Sequence, residues 1–318
     1  MAQEPRVSRR AFLAALGATS AASAKAQNAA QPFALPELPG TLRPLGGLVI
    51  APEALGGGGF SALHLAPDLT LTLISDRGHW AEARLVLDGL TPIGLTPLRH
   101  GPLRDEAGKP LPRGFAADAE ALARRPDGTW LVAFERRHRI RAYRQLDGPG
   151  LYVAAPPGLR NAPSNGGLES LAVLPDGRLF AIAETFTPPD RPDLRHAWLG
   201  QPGAWMPLYW QPSAGFHPTD AALMPDGSAL VLERRFSLLG GFAAKLMRCA
   251  PDALRTARES AVLSGEVVLT LNDAPLPAEN WEGIAVARYG DETLVALISD
   301  DNESILQRSL LLLFAWRG

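Results

Sequence analysis

Nine carboxylates and one serine recur in pairs along the chain: Ser61 with Asp76, Glu120 with Glu135, Glu169 with Glu184, Asp220 with Glu233, and Glu282 with Asp300. Each pair brackets two apolar runs joined by a short polar turn. If each segment folds as an antiparallel hairpin, the two members of a pair face each other at its open end. Like charges set opposite each other destabilise a sheet and raise each other's pKa. Acids gathered this way therefore need a positive partner. Ca2+ takes about six to eight hard oxygen ligands and suits carboxylates from separate loops. This reading makes Glu120, Glu169, Asp220, Glu282 and Asp300 metal ligands, with Glu135, Glu184 and Glu233 beside them. Glu184 and Asp300 have no adjacent arginine, which favours a metal there. The competing counter-charge is protein: Arg77, Arg136, Arg137, Arg234 and Arg235 follow the second acid in three repeats, to hold an anionic substrate or to pair with the acids. Asp76 and three histidines, His79, His138 and His217, each three residues from an acid, are the candidates for proton transfer.

The elements that must position these groups repeat too. Successive copies begin 59, 49, 51 and 62 residues apart, the period of a propeller blade. Asp127-Gly128, Asp176-Gly177 and Asp226-Gly227 read as two-residue hairpin turns, each preceded by a proline. Further strands are expected near 140–146, 151–155, 196–199, 205–210, 242–248 and 266–271. The prediction is all-β: a single β-propeller of five four-stranded blades. The first strand of each blade lines the channel, and all five open ends share one face. Residues 45–51 pair with 309–316, so the N- and C-terminal strands close the ring and leave no long open edge. The 62-residue interval leaves room for a degenerate sixth blade.

Composition narrows the function. With 46% apolar residues and 318 positions the chain can bury a core. Cys249 alone excludes a disulfide framework or a multi-cysteine zinc site. A formal charge of −2 speaks against nucleic acid as a partner. Residues 1–26 read as a twin-arginine signal peptide, with Arg9-Arg10 before a mild apolar run and small residues up to Ala26. Its removal would leave 27 basic and 32 acidic residues, a formal charge of −5. No later stretch reaches the ~18 apolar residues of a membrane span. The expected organisation is a signal over 1–26, a tether over 27–40 and the propeller over 41–318. The expected protein is a periplasmic or secreted monomer acting on a small, anionic molecule.

Several segments carry a family resemblance: Gly59-Phe60-Ser61-Ala62-Leu63, Ile74-Ser75-Asp76-Arg77, Asp118-Ala119-Glu120-Ala121-Leu122, Gly167-Leu168-Glu169-Ser170-Leu171, Asn280-Trp281-Glu282-Gly283-Ile284-Ala285, Ser299-Asp300-Asp301-Asn302 and the closing Gln307-Arg308-Ser309-Leu310-Leu311. Together they resemble the "esterase-like activity of phytase" family over about residues 41–318. The resemblance implies an exported propeller related to calcium-dependent phytases, with phosphoesterase or esterase activity. Two departures stand out: Ser61 takes the place of an acid, and only Lys109 and Lys245 follow the signal, so arginine must do any phosphate binding. The leading function is metal-dependent hydrolysis of an ester, most of all a phosphoester. A non-catalytic periplasmic scaffold with arginine-paired acids is the alternative, and a sugar-lactone hydrolase, using Asn165, Asn280 and Asn302, a further one.

Overall fold

The computed structural model describes residues 28–272, 275–302 and 307–317. The expected signal peptide lies outside them. Five antiparallel sheets form a five-bladed propeller. Blade one comprises Phe60–Leu65, Thr70–Ser75, His79–Asp88 and Thr91–Pro102. Blade two comprises Ala119–Arg124, Trp130–Phe134, Arg139–Tyr143 and Leu151–Val153. Blade three comprises Leu168–Val173, Leu179–Ala183, Arg195–Gln201 and Ala204–Trp210. Blade four comprises His217–Leu223, Ala229–Ser237, Gly241–Cys249 and Glu266–Leu271. Blade five takes Asn280–Tyr289, Glu292–Asp300 and Leu310–Trp316 from the end of the chain and Leu42–Ile50 from its beginning, with Leu42 opposite Trp316 and Val49 opposite Leu310.

The core lies between blades. Alternating apolar residues of the second and third strands pack against the next sheet, and Trp198, Trp210 and Trp281 are fully buried there. At one end of the channel the first strands contribute mostly apolar groups, among them Leu63, Leu122, Leu171, Ala221 and Ile284, together with His64 and Arg124. The acidic end is opposite.

Three expectations need correction. The expected tether over 27–40 contains a strand, Ala30–Phe33, paired on the outer edge of Leu42–Ile50 and tied in by Asn28, whose side chain accepts from the Leu95 amide at 3.0 Å. The wide interval hides no sixth blade. It holds a one-turn helix, Pro251–Arg255, and a short strand, Val262–Leu263, that adds parallel to the outer strand of blade three. The Pro-Asp-Gly turns are not two-residue turns. The amide of Arg125 donates to Thr129 O while that of Gly128 donates back to Arg125 O, with Gly128 at φ +84°. This is a type I turn closed by a left-handed glycine, repeated at Gly177 and Gly227. In blade one Leu69 holds that conformation at φ +67°, with its side chain in the core.

Candidate functional site

Every inner hairpin carries a β-bulge at its open end. The extra residues are Ser61, Glu120, Glu169, Thr219 and Glu282. A bulge re-aims the inserted side chain and ends the ladder. Here Ser61, Glu120, Glu169 and Glu282 line a cavity of about 170 Å³, together with Asp76, Asp118, Glu135 and Asp300. Arg136 and Arg234 are its cations.

Blade four breaks the pattern. Its bulge residue is Thr219, so Asp220 and Glu233 are displaced by one position from the acids of the other blades. A shift of one residue in a strand turns a side chain to the other face. Asp220 therefore points into the seam between blades, where its oxygens accept from the amides of Ala221 at 2.8 Å and Ile284 at 2.9 Å. Glu233 accepts from the Trp210 indole at 2.8 Å and the Ser213 amide at 2.9 Å. Both are engaged by protein donors and neither lines the cavity. Arg234 takes the station of the second acid instead. Its guanidinium lies 3.3 Å from Glu282 and 3.4 Å from Glu184.

The acids come together in two sets. Asp118, Glu120 and Glu135 can place one oxygen each within 4.8 Å of one another, and so can Glu135, Glu169 and Glu184. Glu135 belongs to both. The Gly167 amide donates to its Oε1 at 3.1 Å and fixes that carboxylate.

Burial dominates the electrostatics. It pushes Glu120 well above the ordinary carboxylate range, and Asp118, Glu282, Glu135 and Asp76 push further. Glu169 rises well above that range for the same reason, helped by Glu184 and opposed by Arg234. Glu135 is pushed up to about 7 by burial against the pull of the Gly167 amide. Glu282 is pushed to about 7 by burial, with Arg234 opposing. Asp76 reaches about 6 through burial and then the charge of Asp300. Buried polar atoms without a hydrogen-bond partner include Oδ1 of Asp76, Oδ1 of Asn280, Nδ1 of His138 and Nε of Arg234. The donors facing the cavity are hard oxygens, which suit a cation such as Ca2+.

Of the remaining candidates, His79 and Arg77 border the outer part of the mouth, in a cleft of about 530 Å³ that shares Asp76, Asp118 and Arg136 with the acidic cavity. His79 is held below its ordinary pKa by burial and then by Arg113. His138 Nε2 sits 2.9 Å from Pro163 O, and its ring packs beside Gly167, next to Glu135. His217 Nδ1 lies 3.4 Å from Arg195, and burial lowers its pKa against the nearby charge of Glu184. Arg137 and Arg235 do not reach the cavity; Arg235 lies over the Phe216 ring at 4.9 Å. Sequence reasoning missed Asp118, Arg113 and Phe115 as site residues. Asp118 had a signal, since it stands two residues before Glu120 on the same strand face.

Residues 56–303 match the model of the Phytase-like family, described as esterase-like activity of phytase. No curated protein matches the chain. Solved structures with similarity include an α-L-arabinofuranosidase from Podospora anserina, 13% identical, covering 88% of this chain and 97% of that one at TM-score 0.47. A virginiamycin B lyase variant from Staphylococcus aureus is 9% identical over 90% of this chain and 95% of that one, at 0.45. A protein of unknown function from Dyadobacter fermentans is 12% identical over 91% and 94%, at 0.44. Nothing about the site rests on these likenesses.

Proposed function

The chain belongs to the Phytase-like family, esterase-like activity of phytase, and from that premise we propose that it is an exported, cation-dependent hydrolase of phosphoesters. The observation that carries the reading is the pair of carboxylate trios sharing Glu135, set beside a cleft lined by arginines. Asp118, Glu120, Glu135, Glu169 and Glu184 would hold Ca2+. Bound there, the ion would offset phosphate charge and lower the pKa of a water.

The chain's own groups supply the rest. Arg77 and Arg136 orient the anion at the border of the two cavities. Asp76, near neutral in its titration, accepts a proton from the attacking water, and His79 lies in the same cleft as a second proton carrier. Export follows from the twin-arginine segment at 1–26.

The test is metal analysis of the purified full chain, with hydrolysis of p-nitrophenyl phosphate assayed with and without a chelator. Bound divalent cation and chelator-sensitive turnover are expected. A protein that binds no divalent cation ends this reading.

Arg234 favours a second reading, a non-catalytic scaffold, because it already pairs with two of the acids. That reading requires no turnover of any ester and a cation-independent melting temperature.

A further inference from the structure

The outer cleft is more than an entrance. On one side Arg136 is fixed three ways: its guanidinium donates to Asp118, it lies over the Phe115 ring at 5.0 Å, and its own amide donates to Ser164 O at 3.1 Å. It is held at φ +55°, a costly backbone state for a non-glycine residue that clusters at ligand sites. Arg113 projects into the same cleft and forms no ion pair or hydrogen bond among the described residues. Phe115 is 61% exposed there, a large apolar ring left open to water. Gly56-Gly57-Gly58 lines the same cleft, and a Cβ at Gly57 would meet nothing within 4 Å.

Three arginines and a phenyl ring that is 61% exposed, with Arg136 over one face, recognise an anion with an apolar neighbour in one concave site. The acids set a limit. Asp76 and Asp118 stand at the inner wall, and Glu120 and Glu135 lie just beyond. With no cation bound, a second or third phosphate on the same molecule would be driven against them.

We propose that the cleft binds a monophosphate ester of an aromatic alcohol: the single phosphate is held by Arg77, Arg113 and Arg136, and the aromatic group lies on Phe115. This rests on the hydrolase reading above and narrows its substrate from phosphoesters in general to those with one phosphate and one ring.

Binding to the full chain by calorimetry in chelator tests it, with phenyl phosphate, inorganic phosphate and inositol hexakisphosphate as probes. Phenyl phosphate is expected to bind about tenfold tighter than inorganic phosphate. Phe115→Ala should abolish that difference. Arg113→Ala should weaken both about tenfold. Both residues are exposed, so the melting temperature of each variant should match the parent. Equal affinity for phenyl phosphate and inorganic phosphate in the parent overturns the proposal, as does hexakisphosphate binding tightest of the three. Turnover of p-nitrophenyl phosphate is read separately. Turnover indifferent to both substitutions removes the cleft and leaves the hydrolase. Phenyl phosphate bound through Phe115 and never hydrolysed removes the hydrolase and leaves the cleft.

Discussion

Arg234 of blade four reaches across a seam to lie 3.3 Å from Glu282 of blade five. It also lies 3.4 Å from Glu184 of blade three, so one guanidinium links three blades at the mouth. Burial works against its charge, but Glu282, Glu169 and Glu184 outweigh burial and hold its pKa above the ordinary arginine value. Removing it leaves buried carboxylates unpaired, a loss of about 3–5 kcal/mol. Arg234→Met should therefore lower the melting temperature by about 10 °C at neutral pH. Added Ca2+ should return part of that loss. A variant that melts with the parent would show that the pair is not structural.

Stability should depend on pH in an unusual direction once divalent cations are removed. Glu135 and Glu282 titrate at about 7 and Asp76 at about 6, all above the values that these groups have in an unfolded chain. Between about pH 4 and pH 7 the folded state thus carries protons that the unfolded state has lost. Their contribution is complete below that window and disappears as pH rises through it. In chelator, the melting temperature should be higher at pH 5 than at pH 8, and Ca2+ should raise the pH 8 value most. Melting curves at the two pH values decide the matter, and the opposite order in chelator contradicts the assignment.

Glu135 should matter most for cation binding because it serves both trios. Glu135→Gln should weaken Ca2+ affinity at least about tenfold, a loss typical for a ligand or its immediate support. Asp220→Asn should leave that affinity unchanged. It should instead cost about 1–3 kcal/mol of stability, since an amide cannot accept from both the Ala221 and Ile284 amides. Calorimetric Ca2+ titration and thermal melting of the two variants separate the roles, and weaker Ca2+ binding in Asp220→Asn would restore it as a ligand.

Gly59 is constrained by space as well as by backbone. It sits at φ +76°, and a Cβ would lie 2.3 Å from Oδ1 of Asp76. Gly177 has a similar φ of +82° with nothing within 4 Å of such a Cβ. Gly59→Ala should lower both stability and phosphoester turnover by displacing Asp76. Gly177→Ala should lower only stability, by about 1 kcal/mol. Equal turnover in the two variants would mean that the position of Asp76 is not needed.

The ring was readable because each blade repeats the same phrase, and closure from both chain ends followed from counting strands. Register was harder. Matching Asp220 to Glu120 by residue type ignored a visible difference: Glu120 and Glu169 stand six residues before the prolines of their turns, Asp220 only five. Taking Asp-Gly as a two-residue turn compounded the error, because the longer turn and the bulge each shift the pairing. Hence Thr219 went unrecognised at the mouth of blade four, and Arg234, although expected to pair with acids or hold an anion, was placed after the second acid rather than in its station. The role of Glu233 beside Trp210 was missed as well. The cleft was hidden for a different reason. Arg113 and Phe115 lie in the loop between blades one and two, where no periodic pattern marks a side chain's direction.

Two bulge positions hold hydroxyls, and they behave alike. Ser61 donates to Ala119 O at 2.6 Å and Thr219 donates to Trp281 O at 3.2 Å, each time the carbonyl just before the next blade's bulge. Negative potential is therefore interrupted at blade four, where Thr219 and Arg234 stand in place of the two acids, rather than spread evenly round the axis. An incoming molecule with unlike ends meets a gradient that turns it before contact, so orientation is selected during approach and not only after docking.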